Sequence, residues 1–278
     1  MALQLMYITN SPVVALIAER NGVDRVWIDL ETLGKEERQK NMNSVKSHHT
    51  LQDVEIISDI LTKSECMVRI NPWNENSLDE IEKVISAGAD RIMLPMWKSP
   101  NEADTFLKAV NKRVSTTLLL ETKEAAECLD EVLLNPLIDE IHIGLNDLHL
   151  SYGLTFMFEL LSNGTVERLC EKMRNAGIKY GFGGVARIGE GMLPAERVIM
   201  EHYRLGSTRA ILSRSFCNTE KIRDIAEIET VFAENMRLLR KFEMTISTSS
   251  YGDFAENKSK VADSVANIVL RIKERKNV

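Results

Sequence analysis

The four cysteines of this 278-residue chain lie far apart, and none belongs to a C-x-x-C pair. This spacing excludes a zinc ribbon and a disulfide framework, and it is typical of reduced, mostly buried thiols in a cytoplasmic protein. The chain also lacks a cluster of Lys and Arg, and its formal net charge is −6. Because nucleic-acid binding depends on grouped cations, we expect a cytoplasmic protein with no nucleic-acid partner.

Long apolar runs are missing as well. No run approaches the ~18 residues that span a bilayer, and the N-terminal sequence MALQLMYITNSP lacks the basic start and long apolar stretch of a signal peptide. We therefore expect no membrane partner. The content of 44% hydrophobic and 27% charged residues is typical of a globular protein with a sizeable core. The length suits a single α/β barrel, which needs ~250 residues.

Short apolar, β-branched runs alternate along the chain with longer amphipathic segments. The predicted strands are Leu3–Thr9, Arg25–Leu30, Cys66–Asn71, Arg91–Met96, Thr116–Glu121, Glu140–Gly144, Lys179–Val185 and Arg209–Ser213. The predicted helices between them include Thr50–Leu61, Ser77–Ala87, Asn101–Val110, Lys123–Leu133, Thr165–Ala176 and Ala195–Tyr203. Such alternation predicts parallel βαβ crossovers. Eight units favour an α/β fold of the closed (β/α)₈ TIM-barrel type over an open sheet.

The C-terminal region departs from this alternation. A long helix is predicted over Lys221–Phe242, followed by a polar loop or flexible link (TISTSSYGDFAENKSK) and a final helix, Val261–Arg275. We therefore divide the chain into a barrel, residues 1–242, and a C-terminal extension, residues 243–278. Apolar residues recur at helical spacing in the final helix, so one of its faces needs burial. That face either folds back on the barrel or packs on a neighbouring subunit.

Charged residues concentrate where the predicted strands end, and barrels carry their chemistry at the C-terminal strand ends. Asp29 and Glu31 follow the second strand, Arg69 lies in the third, Glu121 ends the fifth, and Asp147 follows the sixth. A charge inside a buried strand is costly unless it is paired or bound to an ion. Arg69 and Glu121 therefore need partners. One alternative is a structural salt bridge between the two.

Glu121 and Asp147 also predict a metal site. They lie on neighbouring strand ends without His or Cys at matching positions, which describes an oxygen-only site for Mg²⁺, Mn²⁺ or Co²⁺. Mg²⁺ bound by two carboxylates keeps positions open for a bidentate ligand such as a 2-oxo acid. Arg69 beside the metal would add a cation against an oxyanion. This combination suits the stabilisation of an enolate.

Five segments carry a resemblance to a known family. VWIDLE, VRINPW, AGADRIMLPM, LLLETKEA and IHIGLNDLHLSYG, in this order and at suitable spacing, resemble the HpcH/HpaI aldolase/citrate lyase family over roughly residues 3–216. The resemblance implies a phosphoenolpyruvate/pyruvate-type barrel and a class II, metal-dependent aldolase. Such enzymes cleave or form carbon–carbon bonds through a metal-bound pyruvate enolate or a related acyl enolate. The resemblance also implies a homo-oligomer, commonly a hexamer.

The resemblance assigns roles by position. Glu121 and Asp147 match the metal ligands, and Arg69 matches the arginine that holds the keto oxygen of the substrate. Asp29 and Glu31 match the acidic pair after the second strand, which we include among the catalytic residues.

Substrate-binding roles follow for a turn and for one glycine. The backbone N–H groups of the turn that begins at Gly144 and continues through Leu145 and Asn146 to Asp147 correspond to the turn that receives the substrate carboxylate. Gly183, at the end of the seventh strand, leaves room for a ligand because it has no side chain.

The chain departs from the family at one catalytic position. The hydroxy-oxo-acid aldolases carry a histidine after the acidic pair, and this chain has Thr32 there; the Arg-Gly loop before their fifth strand is also missing. The long insert after the second strand contains the candidate replacements Lys35, Arg38, His48 and His49. We predict a catalytic role for His49, because a neutral histidine is a suitable general base. The alternative is a solvated histidine, with Thr50 as the N-cap of the next helix.

The predicted function is that of a metal-dependent carbon–carbon lyase acting on a small 2-oxo acid. One alternative is a citrate lyase-like enzyme that acts on an acyl thioester. Another is a barrel that binds a small oxo acid or an anionic sugar derivative without turnover, which the loss of the histidine favours. Arg187 and Arg214, after the seventh and eighth strands, could hold a distal anionic group or form salt bridges at helix ends.

Overall fold

Eight parallel strands close into a barrel in sequence order in the computed structural model, which describes residues 2–34, 49–219 and 221–276. The strands are β1 (Gln4–Ile8), β2 (Arg25–Asp29), β3 (Glu65–Arg69), β4 (Arg91–Leu94), β5 (Ser115–Leu120), β6 (Glu140–Ile143), β7 (Lys179–Val185) and β8 (Arg209–Leu212). Every predicted strand is present, with bounds that differ by at most two residues. The prediction of a (β/α)₈ barrel is confirmed.

Twelve helices lie in the described residues. They are α1 (Pro12–Arg20), α2 (Leu51–Ile60), α3 (Ser77–Ser86), α4 (Pro100–Val110), α5 (Lys123–Glu127), α6 (Leu129–Val132), α7 (Leu145–Ser151), α8 (Glu159–Ser162), α9 (Thr165–Asn175), α10 (Ala195–Leu205), α11 (Ile225–Ile246) and α12 (Tyr251–Lys276). The predicted helix Lys123–Leu133 is two short helices, interrupted at Cys128. Across these described segments, no helix combines the length and apolarity needed to cross a membrane.

The predicted polar link after the barrel is wrong, because helix α12 already begins at Tyr251. Ser250 and Asp253 form a capping box: the Ser250 hydroxyl accepts the Asp253 N–H at 3.2 Å, and the Asp253 carboxylate accepts the Ser250 N–H at 2.7 Å. This reciprocal pair satisfies two amide groups at the helix start. Asn257, also within the supposed link, is buried and donates to the Glu201 carboxylate at 3.0 Å. The polar residues of this stretch therefore cap and dock a helix.

Helix α12 packs on α8 and α10 of its own barrel. Val261 and Val265 are buried, and the other apolar residues of the face, Ile268, Val269 and Ile272, are half-buried against the core. The apolar face of α12 therefore packs on its own barrel, which is the first of the two alternatives given above. The homo-oligomer stays a prediction.

The barrel interior is filled by three layers of inward-facing side chains. The middle layer is apolar: Met6, Trp27, Met67, Met93 and Leu119. The layer at the N-terminal strand ends, here called the lower layer, is charged: Arg25, Glu65, Arg91, Glu140 and Arg209. The layer at the C-terminal strand ends, here called the upper layer, consists of Asp29, Arg69 and Glu121. The polar side chains of the upper layer therefore lie directly above the apolar middle layer.

Candidate active site

Arg69 is the centre of the upper layer. Its Nε and Nη2 both donate to the Asp29 carboxylate at 2.8 Å, and Nη2 lies 3.2 Å from Oε2 of Glu31. Burial opposes the charged form, but the carboxylates of Asp29 and Glu31 raise the pKa of Arg69 above its ordinary value, with a smaller contribution from Glu121. The described ion pairs of Arg69 thus join it to Asp29 and Glu31. The simple Arg69–Glu121 salt bridge considered above is not what holds it.

Trp27 forms the floor under this guanidinium. The Cζ atom of Arg69 lies 5.0 Å from the centroid of the indole ring, within the range of a cation–π contact. Trp27 precedes Asp29 by two residues on β2, so both side chains point into the barrel. Asp29 holds the edge of the guanidinium while Trp27 supports its face. Sequence reasoning missed Trp27, although the period-two alternation of β2 was a signal.

Asn71 ties the loop after β2 to the end of β3. Its side-chain oxygen accepts the N–H groups of Thr32 at 2.9 Å and Leu33 at 3.0 Å, and it also accepts the Thr32 hydroxyl at 3.2 Å. The side-chain amide of Asn71 donates in turn to Glu80 at 2.9 Å. Thr32, which stands where the related aldolases have a histidine, therefore uses its hydroxyl to anchor the loop. Sequence reasoning missed Asn71 too.

Glu121 is buried against the backbone of its neighbours. Its Oε1 accepts the N–H of Met96 at 3.1 Å. A methyl group built on Gly144 would lie only 2.7 Å from Oε2 of Glu121. Any side chain at Gly144 would therefore clash with the Glu121 carboxylate in its present position. The N–H of Gly144 donates to the Leu120 carbonyl at 2.9 Å. That amide is therefore used by the sheet, and the predicted role of Gly144 toward a substrate carboxylate would require this bond to break.

Met96 has a left-handed backbone conformation that favours glycine. Its φ is +54°, which is uncommon for a residue with a side chain. Such conformations persist only where the surroundings hold them, and they concentrate at functional sites. Here the N–H of Met96 points to Glu121. Nothing in the sequence signalled this contact.

Asp147 lies in the first turn of α7, which starts directly after β6. Strands β5 and β6 are hydrogen-bonded neighbours, so Glu121 and Asp147 follow adjacent strand ends as predicted. Asp147 is half-buried, Asn146 is exposed, and Leu145 is buried. Among residues 2–34, 49–219 and 221–276, no group of three or more His, Cys, Asp or Glu is arranged to hold a metal. The metal site at Glu121 and Asp147 stays a prediction.

Gly183 has a different neighbour from the one expected. Its φ is +52°, and a methyl group there would lie 2.6 Å from Cδ1 of Leu145. The space beside Gly183 is therefore filled by the Leu145 side chain. Gly183 lets α7 pack closely on β7, and direct contact with a substrate stays a prediction.

His49 lies at the mouth, as predicted for the insert after β2. Its Nδ1 accepts the backbone N–H of Asp29 at 2.9 Å. A ring nitrogen that accepts is unprotonated, so the neutral ring carries its proton on Nε2. Thr50 caps α2, with its hydroxyl 3.3 Å from the Asp53 N–H, as predicted. The remaining candidates of the insert, Lys35, Arg38 and His48, lie outside the described residues.

Comparison with known proteins identifies the family. A sequence model of the HpcH/HpaI aldolase/citrate lyase family matches residues 4–185, which is more than half of the chain and includes the upper layer and Asp147. The chain belongs to the HpcH/HpaI aldolase/citrate lyase family. The resemblance drawn from the five segments is confirmed. No curated protein matches the sequence.

Solved structures of low sequence identity have the same fold as this family member. An HpcH/HpaI aldolase/citrate lyase family protein from Burkholderia cenocepacia is 15% identical, with a TM-score of 0.60, over 82% of this chain and 95% of that chain. An HpcH/HpaI aldolase from Desulfitobacterium hafniense is 14% identical, with a TM-score of 0.57, over 90% and 95%. The citrate synthase SbnG is 16% identical, with a TM-score of 0.57, over 76% and 85%. At these identities the likeness concerns the fold alone.

Proposed function

We propose that this family member is a metal-dependent carbon–carbon lyase that acts on a small 2-oxo acid such as pyruvate. One observation carries the proposal: the guanidinium of Arg69 is fixed by Asp29 and Glu31 at the barrel mouth, with Glu121 close enough to influence its pKa. A fixed cation beside further carboxylates suits a site where a second cation and an oxyanion meet.

The residues present fit a hard divalent cation. Glu121 and Asp147 would hold it, since both are oxygen donors and Mg²⁺ takes one or two carboxylates, with water and substrate as its other ligands. The space left by Gly144 places Oε2 of Glu121 against the start of α7, the helix that carries Asp147. When bound, Mg²⁺, Mn²⁺ or Co²⁺ would act as a Lewis acid toward the keto group of the substrate.

Arg69 would stabilise the negative charge that develops on the keto oxygen. Its hydrogen bonds to Asp29 use Nε and Nη2, so we expect Nη1 to face the substrate oxygen. Asp29 and Glu31 keep the guanidinium in one orientation, and Trp27 prevents it from sinking into the barrel. Such a preorganised donor contributes most when it is already in place before the charge develops.

His49 is the candidate for proton transfer. In the cleavage direction, a base must take the proton of the substrate hydroxyl as the carbon–carbon bond breaks, and a proton must then be returned to the enolate carbon. We propose that neutral His49 takes the hydroxyl proton and that the resulting imidazolium returns it to the enolate carbon. In the neutral ring only Nδ1 can accept a proton, so this role requires release of its contact with the Asp29 N–H.

One observation favours binding without turnover as a second candidate function. Thr32 stands in place of the family histidine, and its hydroxyl is used to anchor the loop to Asn71. If His49 has no acid–base role, the mouth has groups that bind an oxo acid, such as Arg69, but no described group for proton transfer. A citrate lyase-like reaction on an acyl thioester would use the same oxyanion-stabilising groups on a different substrate.

Hydrogen–deuterium exchange at the pyruvate methyl group, followed by proton NMR in D₂O, tests the proposal. We expect exchange that requires Mg²⁺, Mn²⁺ or Co²⁺, stops with EDTA, and is lost in Glu121→Gln. The matched control is Glu124→Gln, which removes an exposed carboxylate of α5 and should exchange like the parent chain. Metal-dependent pyruvate binding without exchange would establish the binder. Exchange of acetyl-thioester protons with inert pyruvate would establish the thioester lyase, and metal-independent exchange would contradict the proposal.

A further inference from the structure

The residue directly before each even-numbered strand contacts the start of the strand that precedes it. Before β2, β4 and β6 this residue is an aspartate, and its carboxylate accepts a backbone N–H of β1, β3 or β5. The pairs are Asp24 with Leu5 at 2.7 Å, Asp90 with Cys66 at 2.8 Å, and Asp139 with Thr116 at 2.8 Å. Because a carboxylate accepts strongly from a backbone N–H, each aspartate ties two neighbouring strands together at the N-terminal face.

The start of β8 differs, because Thr208 stands where the other even-numbered strands have aspartate. Its N–H donates to the Tyr180 carbonyl at 3.0 Å, as the N–H of Asp24 donates to the Leu5 carbonyl at 2.9 Å. Tyr180 is therefore the counterpart of Leu5, and its N–H points toward the start of β8, as its carbonyl does. The Thr208 hydroxyl lies 3.5 Å from that carbonyl, and no side chain of residues 2–34, 49–219 and 221–276 accepts the Tyr180 N–H.

Positive charge is in surplus near this N–H. The lower layer contains three guanidinium groups and two carboxylates. One carboxylate, Glu65 on β3, pairs with Arg25 and Arg91. The other, Glu140, is shared between Arg25 and Arg209. Within the described part of the chain, Arg209 on β8 therefore has no carboxylate to itself.

Lys179 brings a further cation to the same edge. It begins β7, pairs in register with Glu140 and lies two residues before Gly181, which pairs with Arg209. Residues in register project from the same face of a sheet, so the Lys179 side chain points to the N-terminal opening, diagonally below Arg209. Lys179 is exposed and forms no ion pair with the residues that the structure describes. Nη1 of Arg209 donates to the Thr208 hydroxyl, which brings the guanidinium to this edge as well.

We propose that the N-terminal edge between β7 and β8 binds a small inorganic anion such as chloride, which takes the place of the fourth carboxylate. The anion accepts the N–H of Tyr180 and offsets the charge of Arg209 and Lys179. Thr208 leaves room for it, because a threonine side chain ends one bond short of the carboxylate oxygens of aspartate. The site lies at the opposite end of the barrel from Arg69, so its occupancy is independent of the reaction proposed for the mouth. Binding to the folded chain alone stabilises the closed barrel.

Thermal unfolding in sodium chloride and in sodium gluconate of equal ionic strength tests the site, because gluconate is too large to replace a single carboxylate. We expect the parent chain to melt about 2 °C higher in chloride. Lys179→Gln should lose most of this difference. Thr208→Asp should abolish it and should melt higher than the parent chain in gluconate, because the chain then supplies its own carboxylate. The matched control, Lys63→Gln, removes an exposed cation just before β3 and should keep the difference.

Broadening of the chlorine-35 NMR line by the folded chain gives a second readout that does not involve unfolding. We expect strong broadening by the parent chain and by Lys63→Gln, less by Lys179→Gln, and least by Thr208→Asp. A parent chain with neither a higher melting temperature in chloride nor line broadening overturns the assignment. A chloride effect that Thr208→Asp retains also overturns it. The same holds if Lys63→Gln loses the effect as fully as Lys179→Gln, since screening of surface charge would then explain it.

Discussion

The two charged layers of the barrel interior have opposite arrangements of positive and negative side chains. In the lower layer, a carboxylate lies between guanidinium groups. Glu140 accepts from Arg25 at 2.6 Å and from Arg209 at 3.0 Å, and Glu65 lies 2.7 Å from Arg25 and 2.9 Å from Arg91. Burial alone would raise the pKa of Glu140, but Arg25 and Arg91 hold it at about 2. Each charge of this layer has a partner within the layer.

In the upper layer, a guanidinium lies between carboxylates. Arg69 contacts Asp29 of this layer and Glu31 of the loop after β2, while Glu121 accepts a backbone N–H. The lower layer completes its ion pairs within itself at the N-terminal strand ends. Among the described residues, the upper layer groups carboxylates around the guanidinium of Arg69 at the C-terminal strand ends. The difference indicates two uses of buried charge in this fold: the lower layer pairs charges within the barrel, and under the proposed function the upper layer prepares the mouth for a ligand.

The largest effect is expected from Glu140→Gln. The change leaves guanidinium groups of the lower layer buried without their shared carboxylate, and breaking a buried network of this kind costs about 3–5 kcal/mol. We expect the free energy of unfolding, measured in denaturant, to fall by about that amount. Turnover per folded molecule should stay near the parent value. The control Glu82→Gln removes an exposed partner of Arg113 and should cost far less. A stable, inactive Glu140→Gln would reverse the roles given to the two layers.

Arg69→Lys makes the corresponding change in the upper layer. A single ammonium group cannot reproduce the bidentate contact to Asp29 and still present a donor to the substrate oxygen. We expect pyruvate proton exchange to fall about 10²–10³-fold, the usual loss for an oxyanion donor, with a modest change in melting temperature. Arg25→Lys in the lower layer is the matched control and should show the reverse pattern. A stable Arg69→Lys that exchanges at the parent rate would refute the assignment.

Two buried histidines near the barrel wall predict a pH dependence of stability. Burial lowers the pKa of His142 to about 4 and that of His202 to about 3, with His142 adding to the effect on His202. The unfolded chain takes up protons at these rings near pH 6.5, while the folded chain does so only at lower pH. The free energy of unfolding should therefore decrease as pH falls from 6.5 toward 4.

His202→Gln isolates one of these contributions. His202 stacks on Phe182 at 3.8 Å and shares a hydrogen bond of 2.7 Å with Ser207, which glutamine can partly replace. Denaturant unfolding at pH 6.5 and pH 4 should show a loss that is about 3 kcal/mol smaller in the variant than in the parent chain. Equal losses in both chains would mean that His202 is not buried in its neutral form.

The smallest effect is expected from Trp27→Leu. The change keeps an apolar middle layer and removes the ring under Arg69, a contact worth about 1–2 kcal/mol when it is desolvated. We expect a several-fold fall in exchange rate, and Trp27→Phe should recover part of it because it restores an aromatic face. The rate should fall in kcat more than in KM for pyruvate, since the ring orients Arg69 and does not touch the substrate. Equal rates in the leucine and phenylalanine variants would contradict this positioning role.

The fold and the identity of the upper layer were accessible from the sequence. Strands of period two, buried on both faces, leave a strong pattern, and a charge such as Arg69 or Glu121 within such a run is conspicuous. The helical start at Ser250 was also readable, because Ser250 and Asp253 have the spacing of a capping box. The polar composition of that stretch is typical of a link, whereas the spacing of Ser250 and Asp253 indicates a helix start.

Contacts that depend on three-dimensional approach were not accessible in the same way. From the sequence, a salt bridge with Glu121 is one alternative for Arg69, and only the register of β2 and β3 places Asp29 opposite it. The left-handed turn at Met96 and the filling of the Gly183 space by Leu145 depend on how neighbouring strand ends meet. A single sequence records which residues are present but not which of several strand ends a side chain will reach.

Binding of Mn²⁺ to the parent chain and to the double variant Glu121→Gln/Asp147→Asn, measured by electron paramagnetic resonance, tests the central claim most directly. The control is the double variant Glu124→Gln/Asp104→Asn, which changes the same residue types on the outer helices. We predict one strong Mn²⁺ site per chain in the parent and in the control. In Glu121→Gln/Asp147→Asn, Mn²⁺ should bind at least a hundredfold more weakly. Retention of the strong site in Glu121→Gln/Asp147→Asn would contradict the claim that the barrel mouth is built to receive a metal.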